Sequence, residues 1–241
     1  MTIRTITVLG AGIMGRGIAY ASLLGGYDTV LQDTNDAALE KAGAEIFALF
    51  EKGALTGKVS GEVAAAANQR LRLARVLEDA VHAADLVIEA VPESIDLKIE
   101  TFSRLDRATP PHALLASNTS SLSITEMAAA TARPRQALGR HFFNPVPRMK
   151  LLEVVRALET SDESIAAAVA VGERMGKESV VVRESPGFVT SRINAMIGNE
   201  AFYMLQEGVA SARDIDKALK LGLNHPMGPF ELVDLVGLDT R

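Results

Sequence analysis

The sequence has no cysteine, so disulfides, thiolate metal sites and cysteine nucleophiles are excluded. It has no apolar stretch approaching the ~18 residues needed to span a bilayer. The opening segment from Met1 to Leu9 is too short and too alternating for a secretory signal. Blocks of like charge are also missing, none being longer than two residues. With 25 Lys and Arg against 30 Asp and Glu, the net charge of −5 disfavours a general nucleic-acid binder. A local basic patch for a phosphorylated ligand remains compatible with that balance. These absences together predict a soluble, untargeted protein of a reducing cytoplasm, with neither membrane nor nucleic acid as partner.

What is present is globular. The 241 residues are 48% hydrophobic and 23% charged, a composition able to bury roughly 70% of the unfolded surface. Through residue 185, short apolar runs alternate with segments of helical spacing. Ile6–Leu9, Thr29–Gln32, Arg70–Ala74, Leu86–Glu89, Leu114–Ala116, Ala137–His141, Leu151–Val155 and Ser179–Arg183 read as strands. Helical spacing recurs at Asp36–Lys52, Asp96–Arg107 and Glu163–Met175, whereas Gly53–Gln69 reads as a loop with a small helix. This alternation predicts an α/β fold of Rossmann type, a mostly parallel sheet with helices on both faces. Behind Pro186 only helices are expected, over Phe188–Gln206 and Val209–Leu221. The predicted division is therefore 1–185 for a dinucleotide-binding domain and 186–241 for an all-helical C-terminal domain.

The first strand runs into Gly10-x-Gly12-x-x-Gly15, a helix follows, and Asp33 ends the second strand about twenty residues on. The glycines permit a tight turn and a close backbone approach to a pyrophosphate, and the helix N-terminus offers N–H donors. Gly10, Gly12, Ile13, Met14, Gly15 and Asp33 are thus the candidate cofactor-binding set. An acid at position 33 suits the ribose hydroxyls and repels a 2′-phosphate, which favours NAD over NADP. The bland alternative is a structural turn and a solvated strand-end acid.

His141 ends a predicted strand, where a parallel sheet presents side chains to a ligand, and imidazole is the usual proton exchanger near neutral pH. Glu153, twelve residues later beyond a proline-rich loop, is placed to orient the ring and stabilise imidazolium. A packing histidine with an unrelated glutamate is the alternative. Ser117-Asn118-Thr119-Ser120-Ser121 offers hydroxyls beside a reacting carbonyl or, equally, a helix start with Ser123 and Glu126 as capping box. Local sequence alone favours solvated roles for Glu93 and Lys98.

The stretches Gly10–Gly15 and Ser117–Ser121, then His141-Phe142-Phe143-Asn144-Pro145-Val146-Pro147, Pro186-Gly187-Phe188 and His225-Pro226-Met227-Gly228-Pro229-Phe230-Glu231, resemble the short-chain L-3-hydroxyacyl-CoA dehydrogenases. The resemblance covers essentially the whole chain. It implies NAD-dependent, reversible oxidation of a short-chain L-3-hydroxyacyl-CoA, such as 3-hydroxybutyryl-CoA, to the 3-ketoacyl-CoA. It makes His141 the base and Glu153 its orienting partner. By the same resemblance Ser120 bonds the substrate hydroxyl, and Asn144 positions the reacting end near the cofactor. Glu93 and Lys98 fall on family positions near the cofactor. Ser191 stands where many members carry the Asn of their PGF-x-x-N-R stretch, and a hydroxyl there offers less than an amide.

The family continues beyond the Gly237–Thr240 stretch, so the C-terminal domain reads as shortened. A homodimer through that domain is expected. Coenzyme A calls for a positive patch, for which Lys52 and Lys58 are candidates against a plain solvation role. Two other readings stay open on this basis: a relative oxidising a free hydroxy acid, as the L-gulonate and carnitine dehydrogenases do, or a non-catalytic NAD-binding relative.

Overall fold

The computed structural model describes residues 2–237. By its internal contacts the chain divides after Ser185 into two compact units. The first is built on one eight-stranded sheet.

Thr5–Leu9 (β1) leads through the glycine turn into Ile13–Leu24 (α1), then Asp28–Gln32 (β2) and Asp36–Leu55 (α2). Asn35 caps α2, its side chain accepting from Ala38 N at 3.1 Å. The Gly53–Gln69 segment differs from the expected loop with a small helix: α2 runs on to Leu55, and a ten-residue helix, Gly61–Arg70 (α3), follows. Ser60 starts α3 by accepting from Val63 N, and the alanines 64–67 have the highest helix propensity. Leu71–Ala74 (β3), Leu77–Val81 (α4), Leu86–Glu89 (β4), Ile95–Ala108 (α5) and Leu114–Ser117 (β5) continue the alternation. Then come Ile124–Ala129 (α6), Ala137–Phe142 (β6), Leu151–Arg156 (β7), Asp162–Arg174 (α7) and Glu178–Arg183 (β8).

The strand order is β3-β2-β1-β4-β5-β6-β7-β8, and every neighbouring pair is parallel except β6 with β7. A mostly parallel Rossmann-type sheet is therefore present. Alternate residues feed two cores. Ile6, Val8, Ile88, Ala116 and Leu138 pack with Ile18, Ile46 and Ile165 of α1, α2 and α7. Leu9, Val87, Leu115 and Ala137 pack with Leu77, Phe102, Leu105 and Met127 of α4, α5 and α6. Arg140 is fully buried on the first face, donating to Ala168 O at 2.8 Å, and burial pulls its guanidinium down to about 10.

The second unit contains Thr190–Gln206 (α8), Ala212–Gly222 (α9) and Pro229–Val236 (α10). Helix α8 starts two residues later than expected because Gly187 and Phe188 have φ of 72° and 49°, outside the right-handed helical region. Helix α9 starts at Ala212, with Ser211 as its N-cap accepting from Asp214 N, rather than at Val209. Asp216 of α9 accepts from Phe230 N and Glu231 N at 2.9 and 3.1 Å, so one carboxylate fixes the start of α10. Phe202 and Phe230 meet edge to face at 5.1 Å.

Asp85 ties the bottom of the sheet together, accepting from Arg4 N and Thr5 N at 2.7 and 2.9 Å and pairing with His112. Burial pushes its carboxyl up, but the bonds from Thr5, Arg4 and His112 outweigh that and hold it below the usual carboxylate range. A depressed carboxyl stabilises the fold above its unfolded value of about 4 and loses that contribution as pH falls through the folded value. Asp85→Asn is expected to lower the melting temperature at pH 7 and to flatten the loss of stability below about pH 4, as measured by calorimetry across pH.

Candidate active site

The strand order reverses at β1, with β2 and β4 on either side, and the C-terminal ends of these strands form the crevice where such sheets bind ligands. Gly10 turns there with φ of 94°, so close to β4 that an added Cβ would lie 2.6 Å from Ala90 O. At Gly15 an added Cβ would fall inside the Gly10 carbonyl, so helix α1 approaches the turn only because both residues are glycine. Gly12 is the N-cap of α1, with no side-chain cap and no acid in the first turn. The first N–H groups of α1 are therefore not claimed by a side chain and suit an anion. Ile13, 62% exposed, and half-buried Met14 follow directly.

Asp33 sits across the turn, one oxygen accepting from Ala11 N at 2.8 Å and the other from Asn35 N at 2.9 Å. Each oxygen keeps a second lone pair for a hydroxyl donor. The cradle thus fits an unphosphorylated ribose and a diphosphate, which together are the binding half of NAD.

One row across the sheet organises the reacting side. Leu9, Glu89, Ser117 and Gly139 are successive register partners. Glu89 is fully buried and accepts from Lys98 Nζ at 2.7 Å, Ser117 Oγ at 2.6 Å and Val91 N at 2.7 Å. Lys98, 1% exposed, also reaches Glu93 at 3.1 Å and Val91 O at 3.3 Å. Its three ammonium hydrogens therefore have three partners, which is the condition for keeping such a charge buried. Glu93 in turn accepts from Thr119 Oγ1 and from Ser120 N. Two side chains that local sequence would leave in solvent are thus drawn into one polar network under the Ser120 loop.

Two residues beyond Gly139 on the same face, His141 lies opposite Glu153 in the antiparallel β6–β7 register. His141 Nδ1 and Glu153 Oε2 are 2.7 Å apart, with the two residues 7% and 1% exposed. Glu153 is therefore a buried partner of the ring and not an unrelated surface glutamate. The Phe143 ring lies against the imidazole at 4.4 Å. Asn118 accepts from Phe142 N at 2.9 Å and donates its own N–H to Glu89 O at 2.8 Å, joining the β5 end to the strand end that carries His141.

Asn144 is exposed in the loop after β6 and precedes a cis bond to Pro145. Lys177 holds this loop by donating to Val146 O and Met149 O, and burial pushes its amine down. Lys52, in the last turn of α2, and Lys58, in the turn after it, are both exposed. Ser191 stands in the first turn of α8 in the second unit. Sequence reasoning missed Glu89 and Asn118 as members of the site. The signal available was a charged residue closing an otherwise apolar strand, Leu86-Val87-Ile88-Glu89.

Sheet order, glycine turn and strand-end acid, with a histidine–carboxylate pair at the same edge of the sheet, define the class: a dinucleotide-dependent oxidoreductase of the Rossmann type. The model of the 3-hydroxyacyl-CoA dehydrogenase NAD binding domain matches residues 5–185, and that of the family's C-terminal domain matches 187–241. The chain is 46% identical over 240 residues to a probable 3-hydroxybutyryl-CoA dehydrogenase of Bacillus subtilis, covering 100% of this chain and 83% of the relative. It is 40% identical over 243 residues to the mitochondrial hydroxyacyl-coenzyme A dehydrogenase of Sus scrofa, covering 99% and 77%. The crystal structure of (S)-3-hydroxybutyryl-CoA dehydrogenase from Ralstonia eutropha superposes with a TM-score of 0.94 at 43% identity, covering 99% of this chain and 84% of that one. The chain belongs to the 3-hydroxyacyl-CoA dehydrogenase family, and NAD is its cofactor. Among the described residues no helix is long and apolar enough to cross a membrane.

Proposed function

We propose that this enzyme interconverts a short-chain L-3-hydroxyacyl-CoA, 3-hydroxybutyryl-CoA first among them, and the 3-ketoacyl-CoA, with His141 as the proton-exchanging group. The observation that carries this reading is the 2.7 Å contact between His141 Nδ1 and Glu153 Oε2. With Nδ1–H donating to the carboxylate, Nε2 is the nitrogen that takes the proton from the substrate's 3-hydroxyl. Glu153 holds the ring in that tautomer and offsets the positive charge that develops on it. NAD, when bound, supplies the acceptor for the hydride leaving C3. In the reverse direction the imidazolium returns its proton to the ketone oxygen.

Ser120 is assigned to the same hydroxyl, with its loop held by Glu93 and the Lys98–Glu89 pair behind it. Glu93 and Lys98 bear on the cofactor's ribose side, and Asn144 directs the reacting end of the substrate. Gly10, Gly12, Ile13, Met14, Gly15 and Asp33 hold the dinucleotide. Lys52 and Lys58 are assigned to the phosphates of coenzyme A, and Ser191 contributes one hydroxyl to substrate binding. In this reading residues 1–185 bind NAD and residues 186–241 serve substrate binding and dimerisation. Exposed apolar side chains favour that second role: Ile193 and Met196 on α8 are 55% and 64% exposed, and Leu221 and Leu235 are 77% and 70% exposed. A cytoplasmic setting accompanies the reading.

His141→Gln should lower kcat by about 10³-fold while leaving NADH affinity by fluorescence titration unchanged, since it deletes only the proton acceptor. Near-normal turnover would remove His141 from the mechanism. A dimer mass is expected in light scattering at micromolar concentration, and a monomer would refute the dimerisation role.

A further inference from the structure

The loop that carries Ser120 is gripped by carboxylates at both ends, and only one end belongs to the cofactor side. At the front, Glu93 accepts from Thr119 Oγ1 and Ser120 N, and Glu89 accepts from Ser117 Oγ. At the back stands Glu184, the residue after β8. One of its oxygens accepts from Ser123 Oγ at 2.7 Å, and the other accepts from Thr125 N at 2.9 Å and Thr125 Oγ1 at 2.7 Å. Ser123 is the N-cap of α6 and Thr125 lies in its first turn. Only Ser121 and Leu122 separate the residues held by Glu93 from those held by Glu184.

We infer that Glu184 is a positioning residue for Ser120, setting the reach of that hydroxyl by fixing the start of α6. The inference rests on the assignment of Ser120 to the substrate hydroxyl. Three features support it. All three bonds are direct and short, and a carboxylate beside helix N-terminal N–H groups is electrostatically favoured. Thr125 Oγ1 also accepts from Leu158 N at 3.1 Å, so the anchor reaches the connection after β7, the strand that carries Glu153. Glu184 N itself donates to Arg156 O at 2.8 Å, so its backbone is tied to the end of that same strand. The ends of β7 and β8 and the start of α6 thus meet around Glu184, through its backbone N–H and its carboxylate, and Ser120 is three residues upstream of the nearest residue that carboxylate holds.

Both oxygens of Glu184 are taken by Ser123 and Thr125, so in this reading its loss should appear in turnover and not in NADH binding. With acetoacetyl-CoA as substrate, Glu184→Ala is expected to lower kcat by about tenfold, the scale of a small misplacement of a catalytic group. Its Kd for NADH should stay within about twofold. Glu184→Gln keeps an amide oxygen for Thr125 and places an amide donor towards Ser123 Oγ, and it should recover most of the activity. If Glu184→Ala is poorly folded by melting temperature, Thr125→Val, which removes one of the three bonds at constant shape, takes its place with a smaller loss in the same direction.

Ser120→Ala closes the cycle. Acting through Ser120, Glu184→Ala should cost less than about twofold further in the Ser120→Ala background. Full additivity of the two losses, or unchanged kcat in Glu184→Ala, overturns the inference. Unchanged kcat in Ser120→Ala alone overturns the Ser120 assignment instead, so the two failures are distinguishable.

Discussion

The connection between Phe142 and Leu151 is too short for a crossover helix, so β7 must return antiparallel beside β6. That single constraint puts the beginning of β7 next to the end of β6, at the same edge of the sheet as the glycine turn. Antiparallel register then sets Glu153 opposite His141, on the face of the sheet covered by α4, α5 and α6. A parallel crossover would have carried the carboxylate away from the imidazole. Both residues are nearly enclosed, so the hydrogen bond between them is poorly screened by water, and each satisfies the other's polar atom.

The same edge of the sheet also fixes the loop after β5, which carries Thr119 and Ser120. Two carboxylates do this, Glu89 fully buried and Glu93 at the exposed rim. Glu89 closes β4 with Lys98 as its counter-charge, Glu93 takes the hydroxyl of Thr119 and the N–H of Ser120, and Asn118 links the loop to β6. Each acceptor is matched by a donor, as a buried network requires if it is to order the site.

Much of this was legible in the sequence. The strands of the sheet appear as short apolar runs, and the glycine turn with Asp33 is a local signal with a local mechanism. The His141–Glu153 pair was legible because only one loop separates the two strands. Helices α4 and α10 were not expected, since elements of five and eight residues span too few turns to show a period, whereas the start of α6 was offered by the Ser123–Glu126 capping signal. The partners of Glu89 and Asn118 were not legible either. Those contacts join residues on neighbouring strands and loops, such as Glu89 with Ser117 and Asn118 with Phe142, and nothing in the local pattern marks them. Glu93 and Lys98 show the same limit from the other side: a solvated acid and lysine by local sequence, a paired cluster once β4 and α5 are packed.

Membership of the 3-hydroxyacyl-CoA dehydrogenase family means hydride transfer between NAD and the 3-carbon of an acyl group carried on coenzyme A. The most direct measurement is the absorbance of NADH on mixing the protein with acetoacetyl-CoA, run beside NADPH with the same ester and NADH with free acetoacetate. Rapid loss of absorbance with NADH and the CoA ester alone is the predicted result. Equal rates with free acetoacetate, or a preference for NADPH over NADH, would contradict it.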